Sequence, residues 1–263
     1  MKKKEKEEYI PKTGLLGDAI DYNYYQMTAG VRILCFVAGF LAGGIVGYIF
    51  YENVILTCVA GIICGAAAQP IYHKNYIERR KKALTLQFKD MLEALSTSIG
   101  AGSNVQDSFA SAYKDMVVQY TEDSYIAREL WIINAGLHNN LSIEALLLDL
   151  GDRSGISDIL SFANVFETCY RKGGNIKEVI RNTYQIIADK MDIELEIKTM
   201  VASKTSEQNM MLVMPIILVL MLKSMASDIV NLNSLTGWMS TTLAVIMFAA
   251  AYMIGRKILS IKV

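Results

Sequence analysis

Apolar residues along this chain form two kinds of run. Two runs are almost unbroken, Val31–Phe50 and Val54–Ile71, with only Tyr51, Glu52 and Asn53 between them. Two more, 209–227 and 237–255, lie towards the other end. About 20 consecutive apolar residues suffice for a helix to cross a bilayer, so the pattern predicts four transmembrane helices. The three-residue link makes the first two an antiparallel hairpin.

Between residues 72 and 208 the period changes, and apolar positions recur every three or four residues as on amphipathic helices. Leu84, Phe88, Met91, Leu92, Leu95 and Ile99 mark the first, which Gly100 and Gly102 end. Ser103 is expected to cap the second, with Gln106 completing a capping box and Val105, Phe109, Ala112 and Met116 facing inward. A third covers 122–137 around Tyr125, Ile126, Leu130 and Ile133, a fourth covers 143–150 and a fifth 157–170. The sixth starts at Gly173, Gly174 and Asn175, a stop-and-start signal with Asn175 as N-cap and Glu178 three residues on. It then runs to Ser227 without a glycine and with one proline, Pro215. At ~1.5 Å per residue such a rod approaches ~80 Å. Short turns make neighbours antiparallel. The expected fold is all-α: a polytopic membrane protein with four transmembrane helices and a cytoplasmic six-helix antiparallel bundle.

Glycines mark how the apolar helices meet. Gly39, Gly43 and Gly47 recur at four-residue intervals in the first, and Gly61 and Gly65 in the second. Small residues on one face let backbones approach closely where lipid removes the hydrophobic drive to associate. Packing within the hairpin and self-association both follow from this pattern.

Charge orients the helices. Five lysines precede the first run, and Lys74, Arg79, Arg80, Lys81 and Lys82 follow the second. Arg256, Lys257 and Lys262 follow the last, whereas the links at 51–53 and 228–236 hold no Lys or Arg. The positive-inside rule then puts both tails (1–30 and 256–263) and the central region in the cytoplasm. The N-terminal segment lacks the apolar core of a signal peptide and reads as an uncleaved tail. Tyr22, Tyr24 and Tyr25 are expected at headgroup level.

Composition narrows the function classes. Of 263 residues 52% are hydrophobic, as expected for a membrane protein with a sizeable soluble part. A formal net charge of zero argues against nucleic acid as a partner. The chain has no GxxxxGK[ST] phosphate loop, GxSxG or HExxH, so no catalytic residue is assigned. His73 and His138 stand alone, and Cys35, Cys58, Cys64 and Cys169 lack metal-ligand spacing. No metal or cofactor is expected, and the cysteines read as small buried hydrophobes. Lys223, inside the third apolar run, is either functional or a snorkelling cation near Asp228.

Four stretches, taken in order, resemble a known family. They are "GAGSNVQDSF" from Gly100, "LSIEALLLDLGDRSG" from Leu141, "ETCYRKGGNIKEVI" from Glu167 and "ASKTSEQNMMLVMP" from Ala202. Their order and spacing across residues 82–222 resemble the type II secretion F family of inner-membrane platform proteins, closest to the TadB/TadC branch of tight-adherence (Flp) pili. The chain departs from that pattern at Asn139 and Asn140, where many members have glycine, and at Ser154, where threonine is usual. It also carries one cytoplasmic domain where secretion-type members carry two.

The resemblance implies a non-enzymatic scaffold. Its partners would be a hexameric cytoplasmic secretion ATPase, pilin subunits, membrane lipid and a second platform subunit or another copy of itself. On this view Arg153, Glu167, Arg171 and Lys172 are candidate ATPase contacts, although Glu167 and Arg171 are spaced for a local ion pair. Gly102, Gly173, Gly174, Asn175 and Pro215 would shape the coupling helices. A small channel or transporter and a membrane-anchored signalling module are the competing classes. The first would need facing polar residues within the bilayer.

Overall fold

Helix punctuation dictates the architecture, and each break between the helices of residues 101–175 can be traced to a cap or a left-handed residue. The computed structural model describes residues 13–17, 19–51 and 54–225, with 242–243, 246–247, 250–251 and 253–255 beyond. Among the described residues seven helices are defined: α1 Ala29–Tyr51, α2 Val54–Gly100, α3 Val105–Tyr120, α4 Tyr125–His138, α5 Ile143–Ser154, α6 Ser157–Arg171 and α7 Ile176–Met225. No strand occurs among the described residues. The lysines before residue 13, the 228–236 link and the basic residues after 255 lie outside the described residues, as does the side chain of Lys223.

At α7 the expected N-cap forms, with Glu178 returning to the Asn175 side chain rather than to its backbone amide. The Glu178 amide donates to Asn175 Oδ1 (3.2 Å), and Asn175 Nδ2 donates back to Glu178 Oε2 (3.2 Å). Before it, Gly173 turns at φ +68°. At α3 the cap lies one residue later than expected. Asn104, not Ser103, accepts from the Asp107 amide and donates to Asp107 Oδ2, both at 2.7 Å. Gly102, at φ +95°, turns the chain so that the carboxamide meets the helix end. Ser124 and Ser142 cap α4 and α5. Asn140 adopts φ +60° after α4, which asparagine tolerates better than other non-glycine residues.

Helix α2 departs from expectation in its length. The apolar run and the amphipathic helix form one 47-residue element, and the basic stretch 74–82 is helical throughout. No glycine interrupts residues 66–82, and Asn75, a residue type that often caps helices, sits inside the helix. Pro70 is accommodated inside the helix, as a single lost hydrogen bond can be.

The chain divides into two compact units, one of residues 1–26 with 74–191 and one of 27–73 with 192–263. In the first, α3 packs on α4, α4 on α5 and α5 on α6. Leu84, Phe88, Met91, Leu92 and Leu95 of α2 are fully buried with Phe109, Ile126, Leu130, Leu150, Phe162, Phe166 and Ile180. Phe88 meets Phe162 edge-on at 5.5 Å. Each such side chain contributes roughly 1.5–3 kcal/mol on burial. The unit closes at Met191, short of the expected 208, because Ile193, Leu195 and Met200 further along α7 are exposed.

The second unit contains two helices long and apolar enough to cross a membrane, Ala29–Ile49 and the start of α2. A core helix of a soluble protein would be mostly buried, but only 6% and 11% of these apolar windows are. Ile33, Leu34, Leu41, Ile45, Ile55, Ile62 and Ile63 point outward. On the apolar end of α7, Met210, Met211, Met214, Ile217, Leu218 and Met221 are likewise exposed. Contacts between α1 and α2 run through the glycines. A Cβ at Gly39 would lie 2.9 Å from Ala68 Cβ, and one at Gly43 2.6 Å from Cys64 Cβ. Gly47 faces Thr57, while Gly61 and Gly65 face the Phe40 and Phe36 rings.

Candidate functional site

The most elaborate side-chain cluster lies in the first unit, where two charges occupy apolar stripes. Glu129 shares the inner face of α4 with Ile126, Leu130 and Ile133. Arg153 shares that of α5 with Leu146, Leu147 and Leu150. Both side chains are buried, 1% and 2% exposed. Arg153 Nη1 and Nη2 donate to the two Glu129 oxygens at 3.0 and 2.7 Å, and Nε donates to Asp149 Oδ2 at 2.7 Å. A second Nη1 bond goes to the Ile20 carbonyl (2.9 Å), so every guanidinium nitrogen donates at least one hydrogen bond. Burial alone would lower the Arg153 pKa, but the hydrogen bonds and charge of Glu129 and then Asp149 outweigh it and raise it.

Segment 13–26 packs over this pair. The Tyr22 hydroxyl donates to Glu129 Oε1 (2.9 Å), and its ring is fully buried against Tyr125. The Tyr22 amide donates to the Arg153 carbonyl (3.2 Å), which also accepts from Asn23 Nδ2 (3.1 Å). Lys81 Nζ donates to Asn23 Oδ1 (2.6 Å) and the Gly155 carbonyl (3.3 Å). Its burial holds that ammonium below the usual lysine value, partly offset by Asp21. Arg80 lies over the rings of Tyr22, Tyr76 and Tyr125. Gly155 takes φ +59°, and a Cβ there would strike the Asn23 carboxamide.

Two expectations are corrected here. Arg153 is not a surface contact for a partner, because its guanidinium is enclosed and held by Glu129 and Asp149. Tyr22 is not a headgroup anchor but a core residue, and Tyr25 stacks on Tyr76 at 4.0 Å. The partners Tyr22, Glu129 and Asp149 were missed. The signal that could have found them is a lone carboxylate and a lone guanidinium, each on an otherwise apolar stripe.

The other charged candidates sit at the ends of α5 and α6. Arg171, 67% exposed, pairs with Glu167 (3.1 Å) one turn back and reaches Glu144 on α5 (3.9 Å). Exposed pairs of this kind contribute little to stability. Lys172 is the exposed C-cap of α6. Gly174 donates to the Cys169 carbonyl (2.7 Å), which closes α6 before Asn175 opens α7, and Pro215 lies inside α7. Glu167, Arg171 and Lys172 thus share one polar edge, and Arg153 does not join them.

Among the described residues no three His, Cys, Asp or Glu side chains are grouped to hold a metal. All four cysteines are unpaired, and none is buried as expected: Cys58 and Cys64 are exposed, Cys64 beside Gly43 of α1, and Cys35 and Cys169 are half-buried. A concavity of about 550 Å³ lined by Asp192, Leu195, Glu196, Thr199 and Met200 is open to solvent and has no converging polar groups.

Alkaline pH tests the cluster. Burial, then the Glu129 charge and hydrogen bond, raise the Tyr22 pKa beyond the usual tyrosine range. Burial and the hydrogen bond to Asp90 push Tyr120 up to about 12. Unfolded tyrosines ionise near pH ~10, so above that the unfolded chain binds fewer protons and stability falls as pH rises. In Tyr22→Phe the decline between pH ~10 and ~12 should be shallower. Chemical denaturation at a series of alkaline pH values measures it, and parallel profiles for the two proteins would count against the assignment.

Compared with known proteins, the chain matches no family model, no curated protein and no solved structure.

Proposed function

We propose that this chain is a non-enzymatic platform of a bacterial inner membrane, coupling a hexameric cytoplasmic ATPase to pilin assembly in a Tad-type pilus or related secretion machine. In this reading four helices span the bilayer, 31–50, 54–71, 209–227 and 237–255. The segments of α2 and α7 within the first unit join α3–α6 as a six-helix antiparallel bundle in the cytoplasm, where both termini also lie. A second subunit of the same kind, or another copy, completes the platform.

The observation that carries this reading is the continuity of α2 and α7. Each runs unbroken from outward-facing apolar side chains into the buried core of the first unit. Helices of 47 and 50 residues are ~70 and ~75 Å long. Within them only Pro70 and Pro215 remove a helical hydrogen bond, so a tilt or rotation of one end has few places to dissipate. The likeness of residues 82–222 to platform proteins supplies the identity of the motor and cargo.

The polar edge of Glu167, Arg171 and Lys172 is the proposed motor contact. The solubilised protein should co-purify with the secretion ATPase of its own organism, and Arg171→Glu/Lys172→Glu should lose that partner at least tenfold. Because Arg171→Glu adds a carboxylate beside Glu144 and Glu167, the neutral pair Arg171→Gln/Lys172→Gln is measured alongside. Undiminished capture and normal pili in both variants would remove this edge from the mechanism.

A further inference from the structure

The segment ahead of α1 is held differently from the rest of the first unit. Residues 13–17 and 19–28 contain no helix, and of their residues only Asp21 and Tyr22 are buried. Attachment concentrates on Asp21, Tyr22 and Asn23. The Asp21 carboxylate accepts from the Asn23 amide (2.8 Å), shaping a tight turn that drives Tyr22 inward. The receiving surface is built from three helices: Glu129 of α4, Arg153 of α5, and Arg80 with Lys81 of α2.

That surface stays paired if the segment departs. Arg153 keeps both Glu129 oxygens and Asp149, losing only the bond to the Ile20 carbonyl. Glu129 keeps two guanidinium hydrogen bonds after losing the Tyr22 hydroxyl. No buried charge is orphaned, so the large penalty of a broken ion pair does not arise. What opening costs is the burial of Tyr22 and part of Ile20, the Tyr25–Tyr76 stack and a few hydrogen bonds, among them Arg80 Nη1 to the Tyr24 carbonyl, less than unfolding the packed helices. Residues 23–28 are all that separates Tyr22 from the first turn of α1.

We propose that residues 19–26 are a detachable strap. Tyr22 is its single plug in a receptor that α2, α4 and α5 preform, and docking or release switches the chain ahead of α1 between held and free. The receptor reads the segment by its Asp-Tyr-Asn core: a phenol for Glu129, a carboxamide for Lys81 and the Arg153 carbonyl, and a passing backbone for the Arg153 fork. The inference does not depend on a motor, a fibre or the platform reading.

Hydrogen exchange measured by mass spectrometry on the full-length protein in detergent micelles tests it. Amides of 19–26 should exchange together, at least a hundredfold faster than those of α4 and α5. Tyr22→Phe removes the plug's hydrogen bond and should speed strap exchange about tenfold, with α4 and α5 unchanged. Asn23→Ala, which leaves the core untouched, should act in the same direction and covers the case that the Tyr22 variant disturbs folding. Strap amides as protected as α4 and α5 in the unaltered protein would overturn the proposal. So would either variant accelerating the strap and the two helices equally, since the segment would then be an inseparable part of the core.

Discussion

Arg153→Met should destabilise the first unit by about 3–5 kcal/mol, the largest effect expected of any single change to a charged residue here. The substitution leaves Glu129, 1% exposed, without its cation. A carboxylate in that position must stay charged without a partner or take up a proton, and either outcome costs folding free energy. The pair is not thereby a large net source of stability, since burying two ions is itself expensive. Tyr22→Phe/Glu129→Leu/Arg153→Met, which replaces the buried pair and its tyrosine with apolar groups of similar size and leaves only the partly exposed Asp149, should therefore recover most of the loss. Denaturant titration of the purified protein followed by Trp131 fluorescence, with Trp238→Phe as background, would measure both. A single variant within about 1 kcal/mol of the parent would show that the pair is solvated, contrary to the geometry.

Gly43→Leu should separate the α1–α2 hairpin, whereas Gly44→Leu should be tolerated. A Cβ at Gly43 would meet Cys64 Cβ at 2.6 Å, its Sγ at 2.8 Å and the Ala60 carbonyl oxygen at 3.0 Å. Two of these are atoms of or next to the α2 backbone, so no rotamer change relieves the clash and the helices must move apart. At Gly44 the nearest atom is the Thr57 methyl at 4.0 Å, an ordinary contact. Overpacking of a close helix pair costs typically ~1–3 kcal/mol, and more where the backbone is struck. Thermal unfolding in detergent should show Gly43→Leu well below the parent and Gly44→Leu near it. Equal behaviour of the two variants would mean that the glycine face is not the contact face.

Much of the fold can be read from particular residues. Asn175 with Glu178, Ser142 and the Gly173–Gly174 pair are local devices, because a cap is satisfied by backbone groups within three or four residues of itself. The glycines of α1 and α2 are spaced at one helical turn and needed no knowledge of the partner to suggest a close face. The cap of α3 was legible only to within one residue. Ser103 and Asn104 are both good caps, and the turn at Gly102 selects Asn104.

What lies between distant parts of the chain was not legible. Arg153 stood out as a charge in a turn motif, and its spacing said nothing of Glu129, 24 positions away, or Ile20, 133 away. Tyr22 has the composition of a membrane-interface residue, and only the cavity between α2, α4 and α5 makes it a plug. By itself, then, the amino-acid order determined which segments are helical, where most of them stop, and that the runs 31–50 and 54–71 are apolar enough for a membrane, while the runs 209–227 and 237–255 reach beyond the described residues. Those properties depend on side chains a few residues apart. The tertiary structure alone decided that a polar segment ahead of α1 closes over a buried ion pair. A charge buried in a core is stable only beside a partner, and which partner the fold brings there is a property of packing rather than of spacing along the chain.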